Sequence, residues 1–178
     1  GYKISGQTSS SLGYAVSSLG DINGDGLADI VVGAYGTSTN AGAAYVVYGS
    51  TVSNTGIDLS NGTIAASSGF SITGAAGSTL GKSVSAAGDV NGDGLTDLIV
   101  GASGSNTAYV LYGTATSSGF NLSGSTIAPA SGFKLTGQIN SNFGISVSSA
   151  GDVNSDGLAD LIVGASTSNS NAGAAYVI

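Results

Sequence analysis

Nine of the ten aspartates in this chain fall in three short segments that share the pattern D-x-N-x-D-G-x-x-D. The first, "GDINGDGLADIVVGA", holds Asp21, Asn23, Asp25 and Asp29. The second, "GDVNGDGLTDLIVGA", holds Asp89, Asn91, Asp93 and Asp97. The third, "GDVNSDGLADLIVGA", holds Asp152, Asn154, Asp156 and Asp160. Three carboxylates within nine residues repel one another unless a cation gathers them. A donor set made only of oxygens selects a hard cation, and a flexible loop offering several of them suits Ca2+ better than Mg2+. Positions one, three and five would supply side-chain oxygens and the glycine at six the sharp turn. The residue at seven (Leu27, Leu95 or Leu158) would supply a backbone carbonyl. That opening matches the start of an EF-hand loop. The end differs, because position twelve is Val32, Val100 or Val163 in an apolar run rather than a bidentate Glu. Asp29, Asp97 or Asp160, at position nine, must then complete each site. Three calcium sites are expected, each on a β-hairpin, and three divalent ions would bring the formal charge from -7 to about -1.

An Asn-Gly-Asp-Gly run also suits a tight hairpin turn. A turn accounts for Asn and Gly but not for Asp at positions one and nine. The third segment carries Ser155 where the others carry Gly24 and Gly92, at a position whose φ is expected to be positive.

The rest of the composition narrows the function classes. The chain has 178 residues, 41% of them hydrophobic and only 7% charged, with 31 Gly and no Cys or His. Glu and Arg are absent, so Asp58 is the one acidic residue outside the three segments. Three scattered lysines (Lys3, Lys82 and Lys134) cannot form the basic patch that nucleic acid or an anionic membrane surface requires. No apolar run approaches the roughly 18 residues of a membrane-spanning helix, so no membrane insertion is expected. Without His, Cys or Glu, and with the Asp committed to metal, a catalytic constellation is hard to assemble, and no enzymatic activity is expected.

The elements that would position these loops repeat with them. Four marks recur in order: an aromatic strand ("YKISGQ", "FSITGA", "FKLTGQ"), then "LGYAV", "LGKSV" or "FGISV", then the Asp segment, then "AAYVVYG", "TAYVLYG" or "AAYVI". They divide the chain into approximate repeats 1–69, 70–132 and 133–178, the last cut within its final strand. Each holds about four short strands between Gly-rich turns, and one such unit cannot bury both faces alone. Four strands per repeat describe a β-propeller blade. The expected fold class is therefore all-β, as β-propeller blades of four antiparallel strands. Three blades fall short of the four to eight that typically close a ring, so a larger propeller or repeat array is expected. The small residues of the strand before each Asp segment suit a crowded position near a propeller axis. The apolar "DIVVGA" and "DLIVGA" runs suit the packed middle of a blade.

These residues resemble FG-GAP repeats, the calcium-binding blades of integrin α-subunit propellers and their bacterial relatives. The "FG" mark is Phe143–Gly144, with Leu12–Gly13 and Leu80–Gly81 as variants. The "GAP" mark is Gly33–Ala34, Gly101–Ala102 and Gly164–Ala165, followed by Tyr35, Ser103 and Ser166 where Pro is usual. The resemblance implies a calcium-stabilised, extracellular or cell-surface adhesion or structural module, of the bacterial surface or secreted type. Its partner would be a protein or glycan ligand, or other copies in a fibre or surface layer. Alternatives are a lectin-like propeller, with Tyr14 and Tyr35 as surface aromatics, and a non-catalytic propeller attached to an enzyme domain.

Overall fold

In the computed structural model, which describes residues 1–52, 56–115, 118–124 and 126–178, the chain is all-β. Fourteen short strands run in chain order. Strands β1 (Ile4–Ser5), β2 (Val16–Gly20), β3 (Asp29–Ala34), β4 (Ala43–Val47) and β5 (Ile57–Asp58) come from the first repeat. The second contributes β6 (Gly69–Thr73), β7 (Ser83–Gly88), β8 (Asp97–Ala102), β9 (Thr107–Leu111) and β10 (Phe120–Asn121). The third contributes β11 (Gly132–Thr136), β12 (Phe143–Gly151), β13 (Asp160–Ala165) and β14 (Ala174–Val177). Among the described residues no helix is long and apolar enough to cross a membrane.

The sheets draw their strands across the repeat boundaries. Blade one is ordered β6-β4-β3-β2 and blade two β11-β9-β8-β7. The outer strand of each is thus the aromatic strand of the following repeat. Phe70 lies opposite Val46, and Phe133 opposite Val110. Blade three contains β12, β13 and β14. Within the blades all pairings are antiparallel, and the two-residue strands β5 and β10 add parallel pairs to β1 and β6 at the outside. Sharing a strand between repeats links consecutive blades through the chain itself.

Burial follows strand position. The middle strand β8 is buried at every position and β3 at all but one. One core packs Leu19, Val31 and Val46 of blade one against Leu80, Val84, Val100 and Tyr109 of blade two. A second packs Ile99 and Val110 of blade two against Leu161 and Val163 of blade three. Strands β2, β7 and β12, rich in Ser and Ala, lie next to one another, as the expectation of a crowded inner position requires.

Two short segments between blade strands are helical turns of unexpected hand. Ser38 (φ 49°, ψ 61°) and Thr39 (φ 56°, ψ 47°) are left-handed, as are Asn169 (φ 52°, ψ 53°) and Ser170 (φ 58°, ψ 43°). They occupy the longer β3–β4 and β13–β14 connections. The shorter β8–β9 connection uses a 3-10 turn, Ser103–Ser105.

Candidate functional site

Each Asp segment forms the hairpin loop between the innermost and second strands of its blade. In the first loop, the Asp21 carboxylate accepts backbone N–H groups from Gly24 (2.7 Å), Asp25 (3.0 Å) and Gly26 (2.7 Å). Asp89 does the same for Gly92, Asp93 and Gly94, and Asp152 for Asp156 and Gly157. These donors, led by Gly26, hold the Asp21 carboxyl below the usual carboxylate range. Bonding to the charged form favours ionisation. Position three closes the turn: Asn23, Asn91 and Asn154 each accept the N–H of the Asp two residues on. Position five in turn accepts the N–H of Leu27, Leu95 or Leu158.

The chain reaches this shape through left-handed backbone at two positions of the loop. Gly24 and Gly92 have φ 77° and 76°, and Ser155 holds φ 62° at the same place, as expected. The loops are also tied to one another. Asp21 O accepts Thr96 N (3.4 Å) and Asp89 O accepts Ala159 N (3.1 Å), each bond crossing from one loop to the next.

Position nine behaves differently from the other three. Asp29 and Asp97 are fully buried and Asp160 is 9% exposed. Asp29 accepts Ile22 N through Oδ2 (3.0 Å) and Gly49 N through Oδ1 (2.7 Å). Asp97 likewise accepts Val90 N and Gly113 N, both at 2.8 Å. Each of these two carboxylates therefore joins the start of the loop to the far end of the fourth mark. Asp160 accepts Val153 N (2.7 Å), and its Oδ1 receives the Asn154 side-chain amide (3.2 Å). The position matching Gly49 and Gly113 lies beyond Ile178. The glycines that end "AAYVVYG" and "TAYVLYG" were the sequence signal for this bond, but alone they read as turn residues.

Burial pushes the Asp29 and Asp97 carboxyls above the usual carboxylate range. The backbone donors oppose that, and the neighbouring carboxylates of the same loop push further. No cation is among the charges acting on either group. Lys82 lies over the Tyr35 ring instead (5.8 Å to its centre).

All four side-chain positions of each pattern are thus brought into one loop, and every donor atom is oxygen. Asp25 Oδ2 and Asp93 Oδ2 each meet the Asn side-chain amide of their own loop at 2.9 Å. Among the described residues no three acidic side chains converge on a common point. The loops hold their carboxylates by backbone N–H groups, and a carboxylate oxygen that accepts one such bond keeps a second lone pair. The donor chemistry fits a hard cation.

The two surface aromatics singled out from the sequence also meet. Tyr14 and Tyr35 pack edge to face with ring centres 4.6 Å apart, and Tyr14 is 59% exposed.

Comparison with known proteins adds a family. FG-GAP repeats match residues 12–47, 80–119 and 143–178, more than half of the chain. The mouse protein "Integrin alpha-M" is 39% identical over 94 residues, covering 52% of this chain and 8% of that protein. "Integrin alpha pat-2" of Caenorhabditis elegans is 38% identical over 108 residues (56% and 8%). Human "Integrin alpha-X" is 40% identical over 92 residues (52% and 8%). The chain therefore spans less than a tenth of the length of these animal relatives.

Proposed function

Because the chain belongs to the FG-GAP repeat family, we propose that it is a calcium-stabilised β-propeller module of an extracellular adhesion protein. The observation that carries this reading is the charge of the loops. Each gathers three carboxylates, one of them buried, with no cationic side chain to balance them. Ca2+ would supply that charge. Asp21, Asn23, Asp25 and Asp29, with the Leu27 carbonyl, would hold one ion, and their counterparts the other two. Binding would exchange the side-chain bond between Asn23 and Asp25 for contacts with the metal. The ion's work here is structural: it would stiffen hairpins that are already linked from blade to blade. Extracellular modules bind calcium at about 10⁻⁴–10⁻³ M, so millimolar external calcium would keep such sites filled.

The partner follows from the relatives. Kinship with integrin α-subunits favours a protein ligand at a cell surface and a non-catalytic role. The low charge, the absence of Cys and the abundance of Gly and Ser favour a bacterial surface or secreted setting, including a fibre or surface layer. A second reading, glycan binding, is favoured by the exposed Tyr14–Tyr35 pair. A glycan array in which Tyr14→Ala abolishes a signal would support it.

Thermal melting against calcium and a chelator tests the main reading. Each filled site adds RT ln(1 + [L]/Kd), about 2.7 kcal/mol at a hundredfold excess over Kd. Calcium is expected to raise Tm and the chelator to reverse it. A Tm indifferent to both would overturn the calcium assignment.

A further inference from the structure

The chain carries two open half-interfaces that match each other, and both can be read against interfaces it forms internally. Strand β1 is the counterpart of β6 and β11. Like β6, it has a short parallel strand on one edge: Ile4 pairs with Ile57 as Ile72 pairs with Phe120. The other edge of β6 pairs with β4, and β11 pairs with β9. The corresponding edge of β1 has no strand against it among the described residues. At the other end, β14 is the counterpart of β4 and β9, and its outer edge is open in the same way.

The faces agree with the edges. Val84 is 8% exposed where blade two meets blade one, whereas its counterpart Val16 is 67% exposed and borders an apolar cleft of about 620 Å³ with Tyr2, Ile4 and Leu12. Val46 and Val110 are fully buried, whereas their counterpart Val177 is 56% exposed. Ile162 is 36% exposed where Val31 and Ile99 are fully buried. The glycines repeat the contrast. A Cβ on Gly81 would overlap the Ala43 carbonyl oxygen, and one on Gly144 the Thr107 carbonyl oxygen, each in the preceding repeat. One on Gly13 would meet nothing within 4 Å.

We propose that the open edge of β1 in one copy of this chain pairs antiparallel with the open edge of β14 in a second copy. It would complete blade three in the register of the internal blades. That register places Ser5 opposite Ala174, Ile4 opposite Ala175, Lys3 opposite Tyr176 and Tyr2 opposite Val177. A second copy is the occupant because the contact continues an interface the chain already makes twice. The apolar face around Val16 then covers Ile162 and Val177 as the face of blade two covers blade one. The contact is head to tail, so it can repeat, and two copies would supply six blades, within the range that closes a ring. It uses strand edges and apolar faces and does not depend on the calcium reading.

Two measurements test it. Sedimentation of the 178-residue chain should reveal species of at least twice its 16.9 kDa mass. Val177→Lys should return it to the monomer with a cooperative melt retained, since Val177 is already half exposed. Opposed residues of an antiparallel pair lie at separations a disulfide can span, and the chain has no cysteine of its own. Mixing chains carrying Ile4→Cys with chains carrying Ala175→Cys under mild oxidation should therefore give the mixed disulfide in preference to either homodimer. A monomeric mass at all concentrations, or homodimeric disulfides in place of the mixed one, would overturn the proposal.

Discussion

Gly33 and Gly81 lie so close that a Cβ on Gly33 would overlap the Gly81 carbonyl oxygen, and Gly101 stands in the same relation to Gly144. The glycine of each "GA" mark thus packs directly on the Leu-Gly or Phe-Gly mark of the next repeat. The two signature elements of the family are the two sides of one contact between blades. No side chain fits there because backbone faces backbone.

Gly33→Ala and Gly101→Ala are therefore expected to destabilise by about 1–3 kcal/mol, the usual cost of overpacking against atoms that cannot turn aside. At Gly164 an added Cβ would overlap only the Ser146 hydroxyl, the end of a side chain that can rotate. Gly164→Ala should cost less. Urea denaturation of the three variants gives the comparison, and equal losses would contradict this account of the glycine pair.

Asp97 joins Val90 N and Gly113 N from full burial. In Asp97→Asn one of these donors faces an amide NH2 instead of an oxygen. A buried donor left without an acceptor costs about 1–3 kcal/mol. Measured in chelator, where no metal contributes, the variant should still lose that stability. A loss that appears only with calcium present would restrict Asp97 to metal binding.

Ser155 holds φ 62° where the other loops use glycine. The left-handed region costs a non-glycine residue about 1–2 kcal/mol, and glycine's greater unfolded freedom takes back roughly 0.5–1. Ser155→Gly should therefore stabilise by about 0.5 kcal/mol or slightly more. Gly24→Ser should destabilise by a similar amount, and denaturant midpoints measure both.

Asp58 lies outside the loops, and its carboxyl is held below the usual range by the Ser60 backbone N–H (2.9 Å) and by the Ser60 side chain. Its folded pKa is the lower one, so the stability it contributes is present above the unfolded value and lost as pH falls through the folded value. The NMR titration of its carboxyl carbon should have a midpoint below that of an unfolded peptide. Ser60→Ala should raise the midpoint toward the ordinary value while leaving the backbone donor in place.

Much of the fold was legible because its determinants are local. The apolar runs of five or six residues, the Gly-rich turns and the fourfold marks recur within each repeat, so strand number, all-β class and the grouping of Asp21, Asn23, Asp25 and Asp29 in one loop follow from spacing. The positive φ at Ser155 was readable for the same reason, from Gly24 and Gly92 at equivalent positions. The left-handed turns at Ser38 and Asn169 carried no such signal, since neither is a glycine.

Sequence alone determined which residues form strands, which form loops and that the oxygens of each loop would meet, because residues a few positions apart cannot be far apart in space. Only the tertiary structure decided which strands share a sheet, which glycine faces which carbonyl and what the buried aspartates hold. Those outcomes depend on residues far apart in the chain, such as Asp29 with Gly49 and Gly33 with Gly81. The strand pattern of a single repeat is equally compatible with a blade built from that repeat and with one that borrows its outer strand. The choice is made by packing: Phe70 at the edge of blade one meets Tyr48 on one side and Phe120 on the other. That arrangement joins each repeat to the next and leaves β1 and β14 as its two open edges.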